Sequence, residues 1–374
     1  MGYLSLIALI ATGWTGLRMK LRQNKLSVYP FGMKTLLVTG GAGFMGSDFV
    51  RTMFEKHEDW HIIVLDALTY AGNPENIPQE IKESPRFEFW YGDVNDLHLV
   101  NELVSRSDYI VHYAAETHVS RSLYNDRVFF TTDVLGTQSV VSAVYRWAKR
   151  VERFVHISTS EVYGSALAEP MNEDHPLMPT TPYAAAKCGA DRLVWSYLVS
   201  YGIPGVIIRP FNNYGPYQHL EKLVPRLITS ALMDEPLTIF GTGEASRDWL
   251  FVEDTTRGVE AALLAPAEKV VGQVINLGTG RATSVREIAL AVLRILGKPA
   301  DSLKHMKERP GDVQRHIAGI AKARELLDWE PKVSLEEGLA RTVQWYKENE
   351  KWWRPQLWMR SVKIRLPDGS VAYY

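Results

Sequence analysis

Thr35-Leu36-Leu37-Val38-Thr39-Gly40-Gly41-Ala42-Gly43-Phe44-Met45-Gly46 decides how the chain folds. An apolar run of strand length stops in glycines and passes into the helical pattern of Phe49 to Phe54. Glycines at 40, 43 and 46 suit a tight turn, a close backbone approach to a pyrophosphate at a helix N-terminus, and close packing of that helix on a sheet. Such a pattern alone is weak evidence. Here a second strand, His61 to Leu65, ends in Asp66 about 20 residues further on, where a carboxylate takes the ribose hydroxyls of a dinucleotide. An acid at that place repels a 2′-phosphate, so NAD is expected rather than NADP.

Strands and helices then alternate. Phe87 to Tyr91 ends in Gly92-Asp93-Val94, and Tyr109 to Tyr113 ends in Ala114-Ala115-Glu116-Thr117-His118. Small or polar residues at both ends would lie beside the dinucleotide, with His118 as a structural or cofactor-side hydrogen-bonding group. Val128 to Trp147 reads as a long helix. Strands separated by helices predict an α/β fold with a doubly wound parallel sheet.

The next strand carries the chemistry. Phe154-Val155-His156-Ile157 runs into Ser158-Thr159-Ser160-Glu161-Val162-Tyr163-Gly164. Ligands of open parallel sheets sit beyond the carboxyl ends of the strands, so Thr159, Ser160 and Glu161 should face a substrate. Tyr183-Ala184-Ala185-Ala186-Lys187 opens a helix, and the four-residue spacing stacks a phenol and an ammonium on one face. A hydroxyl, a phenol, a lysine and a carboxylate suit oxidation of an alcohol followed by movement of a proton beside the new carbonyl.

The 374 residues are 46% hydrophobic and 23% charged, enough for a large core and two lobes. Lys plus Arg number 42 against 43 Asp plus Glu, so no global field favours nucleic acid or a membrane surface. The single cysteine, Cys188, excludes an internal disulfide and a cysteine-built zinc site, and is expected to be a buried inert thiol of a reducing cytoplasm. Leu4 to Leu17 is apolar but shorter than the roughly 20 residues of a membrane helix. Its positive charges follow it, so it is a poor signal peptide.

After the strand Gly205 to Arg209 the texture changes. Pro210-Phe211-Asn212-Asn213-Tyr214-Gly215-Pro216, Leu220-Glu221-Lys222-Leu223-Val224-Pro225 and Ser246-Arg247-Asp248-Trp249 bring loops, amides and isolated cations where a second lobe would grip a polar anion. Arg247 suits a diphosphate, whose oxygens a guanidinium binds in pairs. Leu237 to Gly241 and Val274 to Leu277 read as strands, and Val285 to Leu296 and Leu335 to Glu348 as helices. The expected division is a leading extension over 1–32, an NAD-binding domain over 33–205, an interleaved substrate lobe over 206–351, and a tail over 352–374 with a Pro367-Asp368-Gly369 turn.

Together, the glycine turn, Asp66 to Asn73, Ala114 to Val119, Thr159 to Gly164, the Tyr183 and Lys187 pair, Asn212 to Tyr217, Glu221 to Leu223 and Arg247 to Leu250 resemble the extended short-chain dehydrogenases/reductases. The resemblance runs from about Met33 to Lys347 and is to the nucleotide-sugar 4,6-dehydratase branch, dTDP-glucose 4,6-dehydratases in particular. It implies a Rossmann domain with a smaller interleaved α/β lobe, a homodimer, and NAD along Gly40, Gly43, Phe44, Met45, Gly46, Asp66, Asp93, Val94, Ala114, Ala115, Tyr183 and Lys187. It also implies a nucleoside-diphosphate sugar at Ser120, Asn212, Asn213, Glu221, Lys222, Leu223, Arg247 and Arg309. Tyr183, helped by Lys187, would take the 4-hydroxyl proton while Thr159 bonds the same oxygen. Glu161 would remove the C5 proton, and loss of the C6 hydroxyl with return of hydride would give a 4-keto-6-deoxy sugar.

Three departures bear on the reaction. Ser160 stands where the dehydratase pattern has an aspartate that protonates the leaving hydroxyl, and an alcohol is far too weak an acid for that. Arg309-Pro310-Gly311-Asp312-Val313 resembles the UDP-sugar epimerase and decarboxylase branches more. Asp133 replaces the usual asparagine. A UDP-sugar 4-epimerase or UDP-glucuronate decarboxylase, and a non-catalytic nucleotide-sugar-binding protein, therefore stand beside the dehydratase as alternatives. No metal is expected.

Overall fold

The computed structural model describes residues 32–306, 313–360, 363–365 and 371–373. Residues 1–31 and the Arg309 to Asp312 part of the second departure lie outside them, as does the expected Pro367-Asp368-Gly369 turn.

The strands are β1 (Lys34–Thr39), β2 (Trp60–Asp66), β3 (Phe87–Tyr91), β4 (Tyr109–His112), β5 (Arg153–Ile157), β6 (Gly205–Pro210), β7 (Asn212–Tyr214), β8 (Leu237–Phe240), β9 (Ser246–Arg247), β10 (Trp249–Phe251), β11 (Val274–Leu277), β12 (Thr283–Ser284) and β13 (Leu303–Met306). A terminal antiparallel hairpin pairs β14 (Lys363–Arg365) with β15 (Val371–Tyr373). Seven strands form one sheet in the order β3-β2-β1-β4-β5-β6-β11, every neighbour parallel. The direction of winding reverses between β1 and β4. Above that reversal the connections diverge and leave a crevice at the strands' carboxyl ends.

Both faces of the sheet are covered. Leu36 and Val38 of β1 point into one buried apolar cluster with Phe49 and Met53, while Leu37 points into the other with Ile63, Leu65 and Val140. That two-sided burial is why β1 and β2 are continuous apolar runs instead of alternating ones. The main helices are α1 (Phe44–Lys56), α2 (Leu97–Ser105), α3 (Thr137–Arg146), α4 (Pro182–Tyr201), α5 (Leu223–Leu232), α6 (Val252–Leu264), α7 (Val285–Ile295) and α8 (Leu335–Glu348). A separate apolar cluster, with Tyr214, Leu227, Ile239, Ile288 and Tyr346, lies under α5, α7 and α8.

Two elements differ from expectation for local reasons. Helix α1 starts at Phe44, five residues before the expected Phe49, because Gly43 already caps it in extended conformation. The long helix before β5 is interrupted: Phe130–Gly136 is π-helical between Arg127–Phe129 and α3. This segment, with Asp133 in it, packs on α4, and π-helical segments gather at functional sites.

Candidate functional site

One cleft above the β1 and β4 reversal is lined by residues of both regions: Gly43, Asp66, Glu161, Tyr183, Asn212 and Lys222 among them. Its floor is the glycine turn. A Cβ on Gly40, whose φ is +70°, would meet the Ala114 amide nitrogen at 2.6 Å, and one on Gly46 would lie 2.2 Å from the Gly40 carbonyl oxygen. These two positions admit glycine alone. A Cβ on Gly43 would meet only that carbonyl oxygen, at 3.3 Å, so the space above Gly43 is open. It lies at the N-terminus of α1, where unpaired amides attract an anion. Asp66 ends β2 with its carboxylate fixed by the Ala42 and Leu68 amides at 2.9 and 2.8 Å. Phe44, Met45, Asp93, Val94, Ala114 and Ala115 line the same part of the cleft. An open space over Gly43 at a helix N-terminus, with a fixed carboxylate beside it, fits the pyrophosphate and adenosine ribose of NAD.

The reactive groups stand at the ends of β5 and α4. Thr181 caps α4 by accepting the Ala184 amide at 3.2 Å, and Pro182 occupies the first helical position. One turn apart, Tyr183 and Lys187 are both buried. Lys187 donates to the Ile157 carbonyl at 2.8 Å, which ties α4 to the last residue of β5. Burial pulls the Lys187 ammonium below its ordinary value against the pull of Asp133 and Asp191. Burial pushes Tyr183 up, and the charges of Asp133 and Glu161 push it further, while a Thr159 hydrogen bond opposes them. Asp133, whose Oδ1 accepts the Glu116 amide at 2.7 Å, is pushed by burial to about 7 against the pull of Lys187.

Beyond β5, Thr159 accepts the Glu161 amide at 3.2 Å and caps the short helix Ser160–Tyr163. Thr159, Ser160 and Glu161 all line the cleft. On the opposite wall, the Asn212 Oδ1 is buried with no hydrogen-bond partner among the described residues. Asn213 is spent internally: its amide donates to the Phe211 carbonyl at 2.9 Å and accepts the Thr255 hydroxyl at 2.5 Å. Glu221 is buried in a ring of donors, 3.2 Å from His118, 3.2 Å from Lys222 and 3.0 Å from the Tyr70 hydroxyl. Burial raises its carboxyl, but Lys222, His118 and His219 outweigh that and hold it below the ordinary range. Lys222 also donates to the Thr117 carbonyl at 2.7 Å, and Leu223 follows it as the first residue of α5.

Ser120 and Arg247 are buried, and neither lines this cleft. Ser120 sits in the short helix capped by His118, and Arg247 donates to the Ser246 carbonyl at 3.2 Å. Arg309 lies outside the described residues. Sequence reasoning missed His219, which lines the cleft, Tyr70, whose hydroxyl donates to Glu221, and two supports behind the cleft. One is the buried pair of Asp191 and Arg209, joined at 2.9 Å through both oxygens. The other is His316, whose Nδ1 lies 3.4 Å from the Ser160 hydroxyl. The only signals for them were an acid four residues after Lys187 and a lone arginine ending an apolar strand. Among the described residues, no group of His, Cys, Asp and Glu could hold a metal ion.

A family model described as GDP-mannose 4,6 dehydratase matches residues 37–342. A dTDP-glucose 4,6-dehydratase of Streptomyces niveus is 39% identical over 341 residues, 90% of this chain and 97% of that protein. The solved structure of a dTDP-glucose 4,6-dehydratase from Streptomyces venezuelae, with NAD bound, superposes with a TM-score of 0.81 at 40% identity, over 86% of this chain and 99% of that one. A UDP-glucuronic acid 4-epimerase from Bacillus cereus, bound to UDP-glucuronic acid and NAD, gives a TM-score of 0.78 at 32% identity, over 84% and 99%.

Proposed function

The chain belongs to the GDP-mannose 4,6-dehydratase family, and from that premise we propose that its substrate is a nucleoside-diphosphate hexose, dTDP-glucose before a UDP-sugar. It is an NAD-dependent 4,6-dehydratase, and the product of the proposed reaction is the 4-keto-6-deoxy sugar. The observation that carries the reading is the meeting, in one cleft, of the open glycine turn with Thr159, Glu161, Tyr183 and Lys187.

Gly40, Gly43, Phe44, Met45, Gly46, Asp66, Asp93, Val94, Ala114 and Ala115 would hold NAD, which when bound would supply a reversible hydride acceptor. Lys187, one helical turn from Tyr183 and fixed on the Ile157 carbonyl, would favour the phenolate through its positive charge. Tyr183 takes the proton of the 4-hydroxyl, and Thr159 bonds the same oxygen. The new 4-ketone acidifies the C5 proton, which Glu161 removes. Asn212, with its orphaned Oδ1, bonds the sugar, and Lys222 meets the diphosphate. Asn213, Glu221 and Leu223 shape this wall, with Glu221 holding Lys222 in place.

Residues 33–205 form the cofactor domain of this proposal and 206–351 the sugar lobe. The enzyme acts as a homodimer: Leu135, Tyr145, Trp195, Val199 and Tyr201 lie exposed on and beside α3 and α4, an apolar face suited to a second copy. No helix among the described residues is long and apolar enough to cross a membrane. We place the enzyme in the cytoplasm, in keeping with its single free cysteine.

The test is a screen of dTDP- and UDP-hexoses with product mass. Loss of one water from a nucleotide hexose, dTDP-glucose first, is expected. An epimer of unchanged mass, or loss of carbon dioxide from a nucleotide glucuronate, would replace this reading with an epimerase or decarboxylase.

A further inference from the structure

Ser160 leaves the departing C6 hydroxyl without an acid, and the residue behind Ser160 bears on how the elimination proceeds. His316 is buried, does not line the cleft, and meets the cleft-lining Ser160 through a hydrogen bond to its hydroxyl. Its segment is sewn down on both sides. The His316 amide donates to the Ser246 carbonyl at 3.1 Å, the Met171 amide to the Ile317 carbonyl at 2.8 Å, and the Ala318 amide to Asp248 at 3.0 Å. The ring stands edge to face against Phe211, with centroids 5.9 Å apart.

The ring's hydrogen bonds settle its tautomer. Nε2 lies 2.7 Å from the Gly164 carbonyl oxygen, which can only accept, so Nε2 carries the proton. In the neutral ring Nδ1 is then an acceptor, and the Ser160 O–H must donate to it. Burial keeps the imidazole below its ordinary value, helped by Arg247 and His175 and opposed by Glu161 and the Gly164 carbonyl, which favours that neutral form. With its only hydrogen turned back toward His316, Ser160 presents lone pairs to the cleft.

We propose that His316 is a positioning residue for the elimination. Through Ser160 it makes the hydroxyl an acceptor for the sugar's C6 O–H, which aims a lone pair of that oxygen at Glu161 and leaves Glu161 to protonate it. This rests on the reading of Glu161 as the C5 base. The C5–H bond breaks and its proton passes to the Glu161 carboxylate. The electron pair forms the C5–C6 double bond as the C6–O bond breaks, and Glu161 gives the same proton to the departing oxygen, which leaves as water. C5 later takes its proton from solvent, and Tyr183 returns the 4-hydroxyl proton to solvent.

The experiment uses the NAD-loaded enzyme with dTDP-glucose in single turnovers, comparing His316→Phe, His316→Gln, Ser160→Ala and the Phe and Ala double variant. Appearance of reduced-cofactor absorbance reports oxidation at C4, and its decay reports elimination together with the return of hydride to C6. His316→Phe and Ser160→Ala should each leave appearance within about twofold and slow decay about three- to tenfold, the size of one neutral hydrogen bond. The double variant should be no slower than Ser160→Ala, and His316→Gln, whose amide can serve both Gly164 and Ser160, should recover most of the rate. Substrate deuterated at C5 should lose all its label. Effects that multiply, equal slowing of both phases, no recovery in His316→Gln, or retention of the C5 label would each overturn the proposal. Dehydrated product formed by Glu161→Gln at the rate of the unsubstituted enzyme would instead defeat the underlying assignment of the base, so the two failures are distinguishable.

Discussion

Tyr183 and Glu161 line one cleft, and the proposed mechanism gives them different steps, so their substitutions should part the reaction. Tyr183→Phe removes the group that takes the 4-hydroxyl proton and should abolish formation of reduced cofactor. Glu161→Gln should still oxidise C4 but slow formation of dehydrated product by about 10²- to 10⁴-fold, the usual worth of a positioned base. Absorbance of the reduced cofactor and product mass from the same samples separate the cases, and full turnover by Glu161→Gln would remove it from the mechanism. Asp133 adds a pH dependence. With its carboxyl pushed to about 7, it is ionised above that pH, and its charge helps push the Tyr183 phenol up. A neutral amide lacks that charge, so Asp133→Asn should shift the rising limb of C4 oxidation to lower pH. A limb left unmoved in rapid-mixing measurements would uncouple Asp133 from Tyr183.

Helix α4 carries Tyr183, Lys187 and Asp191 at four-residue intervals on one face, and each locks to a different partner. Asp191 accepts both nitrogens of Arg209 on β6 and the Ser158 hydroxyl, 2.7 Å away beyond β5. Burial alone would raise its carboxyl, but Arg209 wins and holds it well below the ordinary range. This contribution to stability is present above the ordinary carboxylate range and is lost only as the pH falls below it. Asp191→Ala leaves Arg209 buried without its counterion and should cost about 3–5 kcal/mol in urea unfolding at neutral pH. A loss no larger than that of a surface ion pair, about 1 kcal/mol, would contradict the role of this pair in fixing the helix. Elements of this kind were half legible in the sequence. The glycine turn, Asp66 and the Tyr183 and Lys187 spacing are local patterns and fell where expected. Asp191 with Arg209, Ser160 with His316, and Glu221 with Tyr70 join residues 18, 156 and 151 positions apart, and no periodicity encodes such pairs. The π-helical turn around Asp133 was equally hidden, because one inserted residue barely disturbs a helical apolar pattern.

Across the whole molecule, the parallel sheet gathers the carboxyl ends of β1, β2, β4 and β5 under one cleft, and the α5 side closes it with Asn212, Glu221 and Lys222. The tail reaches both regions: Trp352 donates to Asn76 at 3.0 Å beside the glycine turn, and Arg360 pairs with Glu235 at 2.8 Å. The parallel pairing of the main sheet could be anticipated from the alternation of strands and helices, its strand order could not, and β7, β9, β10 and β12 are too short to leave a sequence signature. What this assembly is built to do is move one hydride within a single sugar, from C4 to C6, while water leaves between the two transfers. The most direct measurement traces that hydrogen: the NAD-loaded enzyme is given dTDP-glucose carrying deuterium on C4, and the product is examined by NMR and mass spectrometry. The account predicts a 4-keto-6-deoxy sugar with the deuterium in its C6 methyl group; deuterium remaining on C4 of an epimerised hexose would contradict it.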